Sequence, residues 1–196
     1  MNVPISEYQN FQKKVPAGDN RERFVCDKCS WIHYENPRIV TAAFCIQDDL
    51  VLLCRRAIRP RYGYWTLPGG FMEIGETAEA ACSRETREEA GAEIELTGLL
   101  SIYSIPRIGQ VHLVYLATLT SPEITAGPES LELTMIPFED VPLDELAFPV
   151  NRWALEDFLS LDGQPPAQPF TTRPDRMQER IPPMDVHPDY LSGFES

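Results

Sequence analysis

The chain has 196 residues, 43% hydrophobic and 24% charged, with a net charge of −13 and a pI near 4.6. That length suits one ordinary domain with a sizeable core and is short for two. An acidic chain is poorly suited to grip a nucleic-acid backbone, which takes clustered Lys and Arg, yet it binds a small phosphorylated ligand where divalent cations stand between the negative partners. No apolar run approaches the roughly 18 residues of a membrane span, and MNVPISEYQNFQKK lacks the apolar stretch of a signal peptide. The five cysteines, Cys26, Cys29, Cys45, Cys54 and Cys82, are odd in number and do not form a disulfide framework. A reducing, cytoplasmic setting is therefore expected, with neither nucleic acid nor membrane as partner.

Three regions differ in texture: a polar segment 1–34 with one CDKC pair, a regular segment 35–161, and a tail 162–196 with seven prolines and no periodicity. The tail reads as irregular, either disordered or an extended arm laid on another surface. In the middle, IVTAAFCI (39–46) and LVLLCRRA (50–57) are strand-like runs joined by a short polar turn, a hairpin pattern. WTLPGG (65–70) reads as a short strand running into a loop. Thr77–Ala90 has helical spacing and stops at Gly91, a residue suited to the left-handed position beyond a helix end. Strands follow at 92–105 and 110–120, around a turn at PRIG (106–109), and another is expected at 129–138. PLDELAFP begins with a short helical turn, and NRWALEDFLSL (151–161) is a helix with Asn151 as its expected N-cap. Strands and helices mix without regular βαβ alternation, which favours an α+β fold.

The helix 77–90 carries an electrostatic oddity. At about 100° per residue, Glu85, Glu88 and Glu89 fall on the stripe that holds Ala78, Ala81 and Cys82, with Arg87 opposite. Like charges at this spacing destabilise a helix, and its C-terminal end disfavours them further. A solvated helix held by Glu–Arg pairs is one reading. The other is a hard cation, Mg²⁺ or Mn²⁺, held between inward-facing carboxylates.

Gly70, Glu76, Arg84, Glu85, Glu88, Glu89 and Gly91 stand at the intervals G-x5-E-x7-R-E-U-x-E-E-x-G-U, with U usually aliphatic. This resembles the signature box of the Nudix hydrolases. All seven identity positions match, at chance odds on the order of 10⁻⁸ to 10⁻⁹ per start. Thr86 and Ala92 depart mildly at the packing positions. The resemblance implies a loop–helix–loop against a mixed β-sheet sandwiched by helices (α/β/α). It assigns Glu85, Glu88 and Glu89 as metal ligands with the Gly70 carbonyl, Arg84 as the group that orients a carboxylate, and Glu76 as the loop glutamate that helps hold the box together or contacts metal. The role of Glu73, in the variable stretch, stays open. It further implies hydrolysis of a diphosphate linked to another moiety, with Mg²⁺ or Mn²⁺ lowering the pKa of the attacking water. The general base is drawn from the box helix or from a later loop, where Glu129 and Glu132 are candidates; both also suit a solvent-facing strand edge.

The segment around CDKC resembles the N-terminal zinc ribbon of a Nudix subgroup that includes pyrophosphatases of NADH, ADP-ribose and FAD. A tetrahedral site needs four ligands, and only Cys26 and Cys29 are present. Either the ribbon has lost its metal, the favoured reading, or zinc is held with His33 or with a partner chain's ligand. Cys45, Cys54 and Cys82 read as core residues.

Substrate clues lie outside the box. Pro106 stands near a position where many ADP-ribose pyrophosphatases carry proline, although a turn between strands also explains it. SIYSIPRIGQ replaces the longer signature of NADH pyrophosphatases. In RRAIRPRYG (55–63), Arg59 and Arg61 are candidates for a phosphate or ribose, or simply solvate a loop. Tyr62, Tyr64, Trp65 and Phe71 flank the box as stacking or core residues. The expected substrate is ADP-ribose, or a dinucleotide such as FAD, cleaved to release AMP. Alternatives are a house-cleaning nucleoside triphosphatase and a non-catalytic nucleotide-sugar sensor. The resemblance also implies a homodimer.

Overall fold

The computed structural model describes residues 10–162 and 166–178, together with Asp185, His187 and Tyr190. The chain divides into two compact units, Met1–Pro37 and Arg38–Ser196. In the first, β1 (Phe11–Lys14), β2 (Arg23–Cys26) and β3 (Ile32–His33) form an antiparallel sheet in chain order. Asp19 shapes the turn between β1 and β2. Its carboxylate accepts from the backbone N–H of Asn20 and Arg21 and from Arg23 Nε. Phe11 packs edge-on against Trp31, with ring centroids 5.8 Å apart.

The second unit starts with β4 (Arg38–Gln47) and β5 (Leu50–Arg56). They join at Asp48 and Asp49, whose φ angles of 51° and 63° give the left-handed turn that matches strand twist. The pair stays together only at Ile46–Val51 and Gln47–Leu50. Beyond that the strands diverge, and the box's first residues fill the gap. β6 (Trp65–Thr66) pairs with β5, and β7 (Gly69–Phe71) pairs with Val40–Ala42 of β4. The loop expected after WTLPG is thus a second short strand, which fixes Gly69 and Gly70 in the sheet.

α1 (Ala78–Ala90) follows, then β8 (Ile94–Ile105), β9 (Gln110–Leu119), β10 (Ser130–Pro137), α2 (Pro149–Leu159) and β11 (Phe170–Thr171). The mixed sheet runs β10-β5-β4-β9-β8-β11, with β4–β9 and β8–β11 parallel. The alternation of side chains explains the layering. On β4 and β5, Phe44, Val51 and Leu53 join the cluster with Val150, Trp153 and Leu155 of α2. Ala43, Cys45, Leu52 and Cys54 join Cys82 and Ala90 of α1. One helix therefore covers each face, the α/β/α arrangement expected, and the three core cysteines are buried.

α1 has the expected ends. Thr77 Oγ1 accepts from the Ala80 N–H at 3.2 Å, and Gly91 closes the helix at φ 58°. α2 does not begin at Asn151. Pro149 occupies its first turn, where a fixed φ is pre-set and no N–H is needed. Asn151 is buried inside the helix and donates to Thr66 Oγ1 at 3.1 Å.

The described tail residues are laid on the second unit. β11 pairs with Ser101 and Ile102, and Thr172 Oγ1 exchanges hydrogen bonds with the Ser104 backbone. Arg176, buried, donates to Asp157 Oδ2 at 2.9 Å and to Glu156 at 2.7 Å; Tyr103 Oη donates to the same Asp157 oxygen at 2.5 Å. Removing Asp157 takes an acceptor from the buried Tyr103 hydroxyl and leaves the buried Arg176 with Glu156 as its remaining close carboxylate. Asp157→Ala is expected to destabilise the protein by about 3 kcal/mol, seen as a lower urea midpoint with unchanged slope.

Candidate active site

The sharp turn from β7 into α1 brings the box residues together around one guanidinium. Arg84 grips Glu76 with two parallel bonds, Nε to Oε2 at 3.1 Å and an amino group to Oε1 at 2.8 Å. It also donates to Glu85 Oε1 at 2.8 Å, to Glu88 Oε2 at 3.3 Å and to the Phe71 carbonyl at 3.1 Å. Glu76 in turn accepts the Glu73 N–H at 2.6 Å. The bond to Arg84 holds the Glu76 carboxyl below its usual range, and Glu76 holds the guanidinium firmly charged. Glu73 contributes through this backbone contact and lines the cleft.

The three box carboxylates are not equivalent. Glu89 is 5% exposed and takes the Gly69 N–H at 2.9 Å. Burial pushes its pKa up to about 7, against the opposing pull of that N–H and of the Arg56 charge. Burial also raises Glu85, though Arg84 opposes it. Glu88 keeps 59% of its side chain exposed, so it does not face inward as the other two do. It lies 100° around the helix from Glu89, at the rim of the stripe. Arg87, opposite, pairs with Glu93 in solvent.

These side chains line a cleft of about 940 Å³ at the ends of β4 and β5 remote from their hairpin. Because the strands have diverged there, the walls come from both faces of the sheet. On one side stand Gly69, Gly70, Glu85, Glu88 and Glu89; on the other are Val40, Ile105, Phe148 and Trp153. A Cβ on Gly70 would lie within 2.5 Å of the Glu85 carboxylate, so only glycine lets that carboxylate lie on the backbone. The chemistry of the donor set fits a hard divalent cation: three carboxylates, beside backbone carbonyls, all oxygen. As the side chains stand, Arg84 holds Glu85 and Glu88, and among the described residues no three His, Cys, Asp or Glu side chains converge on an ion position.

Sequence reasoning missed Arg56. By strand alternation it shares the face of Leu52 and Cys54, the face that α1 covers. It lines the cleft, donates through Nε to the Pro60 carbonyl at 2.9 Å and lies 5.1 Å over the Phe148 ring. Burial lowers its pKa, while Glu89, Glu129 and Asp185 hold the charge in place.

Arg61 is the reverse. It is 1% exposed, donates through Nε to the Ala147 carbonyl at 3.1 Å and lies 3.4 Å over the Tyr64 ring. Arg59 is exposed and faces Asp185 at 3.6 Å. Neither lines the cleft, whereas Arg56, Arg38 and Arg107 do. Pro106 starts a short 3-10 turn, and its neighbours Ile105, Arg107 and Ile108, not its own ring, reach the cleft. Of the aromatic residues flanking the box, Tyr64 and Trp65 are buried and Phe71 lies at the cleft with Arg38 over its ring.

Glu129 and Glu132 separate cleanly. Glu132 leaves the cleft to pair with Arg55 Nε at 2.9 Å, whereas Glu129 lines the cleft and accepts the Ala57 N–H through its carbonyl at 2.8 Å. The loop carrying Glu129 is clamped to the end of α1. Thr125 donates to the Ala90 carbonyl at 2.8 Å and Gly127 to that of Glu89 at 3.0 Å. A Cβ on Gly127 would collide with the Glu88 carbonyl oxygen.

In the first unit, Cys26 and Cys29 are free thiols. The backbone N–H groups of Cys29 and Lys28 lower the pKa of Cys26. No further Cys, Asp, Glu or His completes a metal set with them among the described residues. His33 pairs through its backbone with Phe24 and lies 5.7 Å from the Trp31 ring.

A box helix of carboxylates set beside a split mixed sheet is the arrangement that the resemblance to the Nudix hydrolases implies. The chain belongs to the Nudix family: the NUDIX domain model matches residues 36–158. The Nudix N-terminal model matches residues 9–35. The chain is 33% identical over 119 residues to an ADP-ribose pyrophosphatase of Methanocaldococcus jannaschii, covering 59% of this chain and 69% of that one. It is 31% identical over 140 residues to the NAD-capped RNA hydrolase NudC of Salmonella heidelberg, covering 70% of this chain. It spans about half, 53%, of that relative's length. The crystal structure of a NUDIX hydrolase from Nitrosomonas europaea superposes with a TM-score of 0.78 at 37% identity, over 83% of this chain and 93% of that one. Enzymes of this family generally act with Mg²⁺ or Mn²⁺.

Two outcomes follow from the geometry. Gly127→Ala forces the clamped loop off α1 and is expected to cost about 1–3 kcal/mol, read as a lower melting temperature. His112 lines the cleft with Nε2 2.9 Å from Gln110 Oε1, and burial lowers its pKa from 6.5 to about 4. Between those values the unfolded chain binds the proton and the folded chain does not, so this group's contribution to stability falls as pH falls from 6.5 to about 4. His112→Asn is expected to flatten the fall in urea midpoint across that window relative to wild type.

Proposed function

We propose that the enzyme hydrolyses the pyrophosphate of a nucleoside diphosphate linked to a second moiety, with ADP-ribose first and a dinucleotide such as FAD next, releasing AMP. One observation carries this reading: the carboxylates of α1 and the Arg56 guanidinium share a 940 Å³ cleft whose opposite wall is apolar and aromatic. That volume is at the upper end of small-ligand sites, about 300–1,000 Å³. It gives room for a diphosphate at the polar wall and a base and sugar against Phe71, Ile105 and Phe148.

Glu85, Glu88, Glu89 and the Gly70 carbonyl would hold the divalent ions, which when bound supply charge neutralisation and a more acidic water. The chain's own residues do the rest. Arg84 keeps the carboxylate wall charged and in register. Arg56 places its positive charge where the phosphates lie, and strengthens there because the site is partly withdrawn from solvent. Glu129, held against Ala57 and opposite the helix, accepts the proton of the attacking water. Neutral His112 and Gln110 offer hydrogen bonds without adding charge.

A second reading, a dinucleotide carried at an RNA end, is favoured by the likeness to the NAD-capped RNA hydrolases. The net charge of −13 weighs against a long polyanion and for a free nucleotide.

A panel of ADP-ribose, FAD, NADH, nucleoside triphosphates and a capped RNA, assayed with Mg²⁺ and with Mn²⁺ and with products weighed by mass, tests the proposal. AMP plus a phosphorylated second moiety is expected, whereas a nucleoside monophosphate plus pyrophosphate overturns it. Glu88→Gln and Glu89→Gln should each fold normally and lose roughly 10²-fold or more in kcat.

A further inference from the structure

The basic run RRAIRPRYG is unusual in so acidic a chain, and only one of its arginines, Arg56, both lines the cleft and stands near the carboxylates. The others are engaged by the far end of the chain. Asp185 Oδ1 accepts the Arg61 backbone N–H at 2.9 Å, and its Oδ2 lies 3.6 Å from Arg59 Nε. The Asp185 carbonyl accepts the Tyr62 N–H at 2.9 Å, and Tyr62 returns the bond by accepting the His187 N–H at 2.7 Å.

Tyr190 and His187 anchor the same segment. Arg55 donates to Tyr190 Oη at 3.0 Å, and His187 Nε2 lies 3.4 Å from Glu145 and packs edge-on against Tyr64. Asp185 therefore spans both residues that flank Pro60, through the side chain of one and the backbone of the other. Pro60 is the residue whose carbonyl takes the Arg56 Nε–H at 2.9 Å.

We propose that Asp185 is a positioning residue for the cleft: it fixes the Arg59–Pro60–Arg61 turn, and through the Pro60 carbonyl it aims the Arg56 guanidinium at the phosphates of the substrate. A proline carbonyl in an exposed turn is free to swing; two backbone N–H groups tied to one aspartate hold it. Arg56 is a long side chain with much rotamer freedom, so a fixed acceptor at Nε removes entropy that substrate binding would otherwise supply. The kinetic part of this inference rests on the phosphate-binding role of Arg56 given above. The positional part does not.

The test uses the full chain with Mg²⁺ and ADP-ribose. Arg56→Ala is expected to raise KM roughly 10-fold. Asp185→Ala should raise KM by a similar factor with kcat little changed. Asp185→Asn keeps the acceptor for the Arg61 N–H and should restore most of the wild-type KM. In the Arg56→Ala background, Asp185→Ala should add nothing further. Equal KM increases in both backgrounds, or an Asn variant as impaired as the Ala variant, overturn the proposal.

A substrate-free arm separates this from the function assigned above. The Arg56 Nε–H, observed by ¹⁵N NMR, should be protected from exchange in the wild type and lose protection in Asp185→Ala. Retained protection in that variant overturns the positioning role. An unchanged KM in Arg56→Ala, with protection lost as expected in Asp185→Ala, overturns the phosphate role of Arg56 instead.

Discussion

The catalytic end of this molecule depends on how one guanidinium divides itself among carboxylates. Arg84 bonds to Glu76, Glu85, Glu88 and the Phe71 carbonyl at once. Without it, four acidic side chains in two turns of helix and an adjoining loop would repel one another in a partly buried space, where screening is weak. Arg84 also ties the variable loop to the helix, since Glu76 lies on the loop and Glu85 on the helix. Glu89 has no bond to Arg84, and burial pushes it towards neutrality against the pull of the Gly69 N–H and the Arg56 charge.

Much of this was legible in the sequence, and the reason is locality. The two core strands at 39–46 and 50–57, the helix 77–90 with Thr77 before it and Gly91 after it, and the spacing of the glutamates are all set by contacts within a few turns or one hairpin. What was not legible depends on distant partners. Arg61 is held by residues 86 and 124 positions away, its side chain by the Ala147 carbonyl and its backbone N–H by the Asp185 carboxylate. The choice between Glu129 and Glu132 turns on a shift of register in β10 between Ser130 and Glu132, which sends Glu132 to Arg55 while Glu129 stays beside Ala57. Asn151 looked like a cap because it precedes an amphipathic run, but Pro149 had already started the helix.

Strand parity was the underused signal. Arg55 and Arg56 are consecutive, so they point to opposite faces of β5. Arg55 lies over the Trp65 ring and reaches Glu132 and Glu145, while Arg56 turns to the carboxylate wall. The burial of Leu52 and Cys54 against α1 follows the same parity, and extending it two residues singles out Arg56. A dipeptide that reads as one basic patch is in fact two residues with separate duties.

The short strand β11 has a meaning beyond this cleft. An open sheet ends in rows of unpaired N–H and C=O groups that invite another chain to add a strand. Here β8 is twelve residues long and would present such an edge, but Phe170 and Thr171 lie along Ser101 and Ile102 and Thr172 takes up both backbone groups of Ser104. The opposite edge, β10, is blunted by its irregular register, by the charged Glu132 and by Pro137 at its end. Phe170, Thr171 and Thr172 thus occupy a stretch of sheet edge along which another chain's strand would otherwise add on.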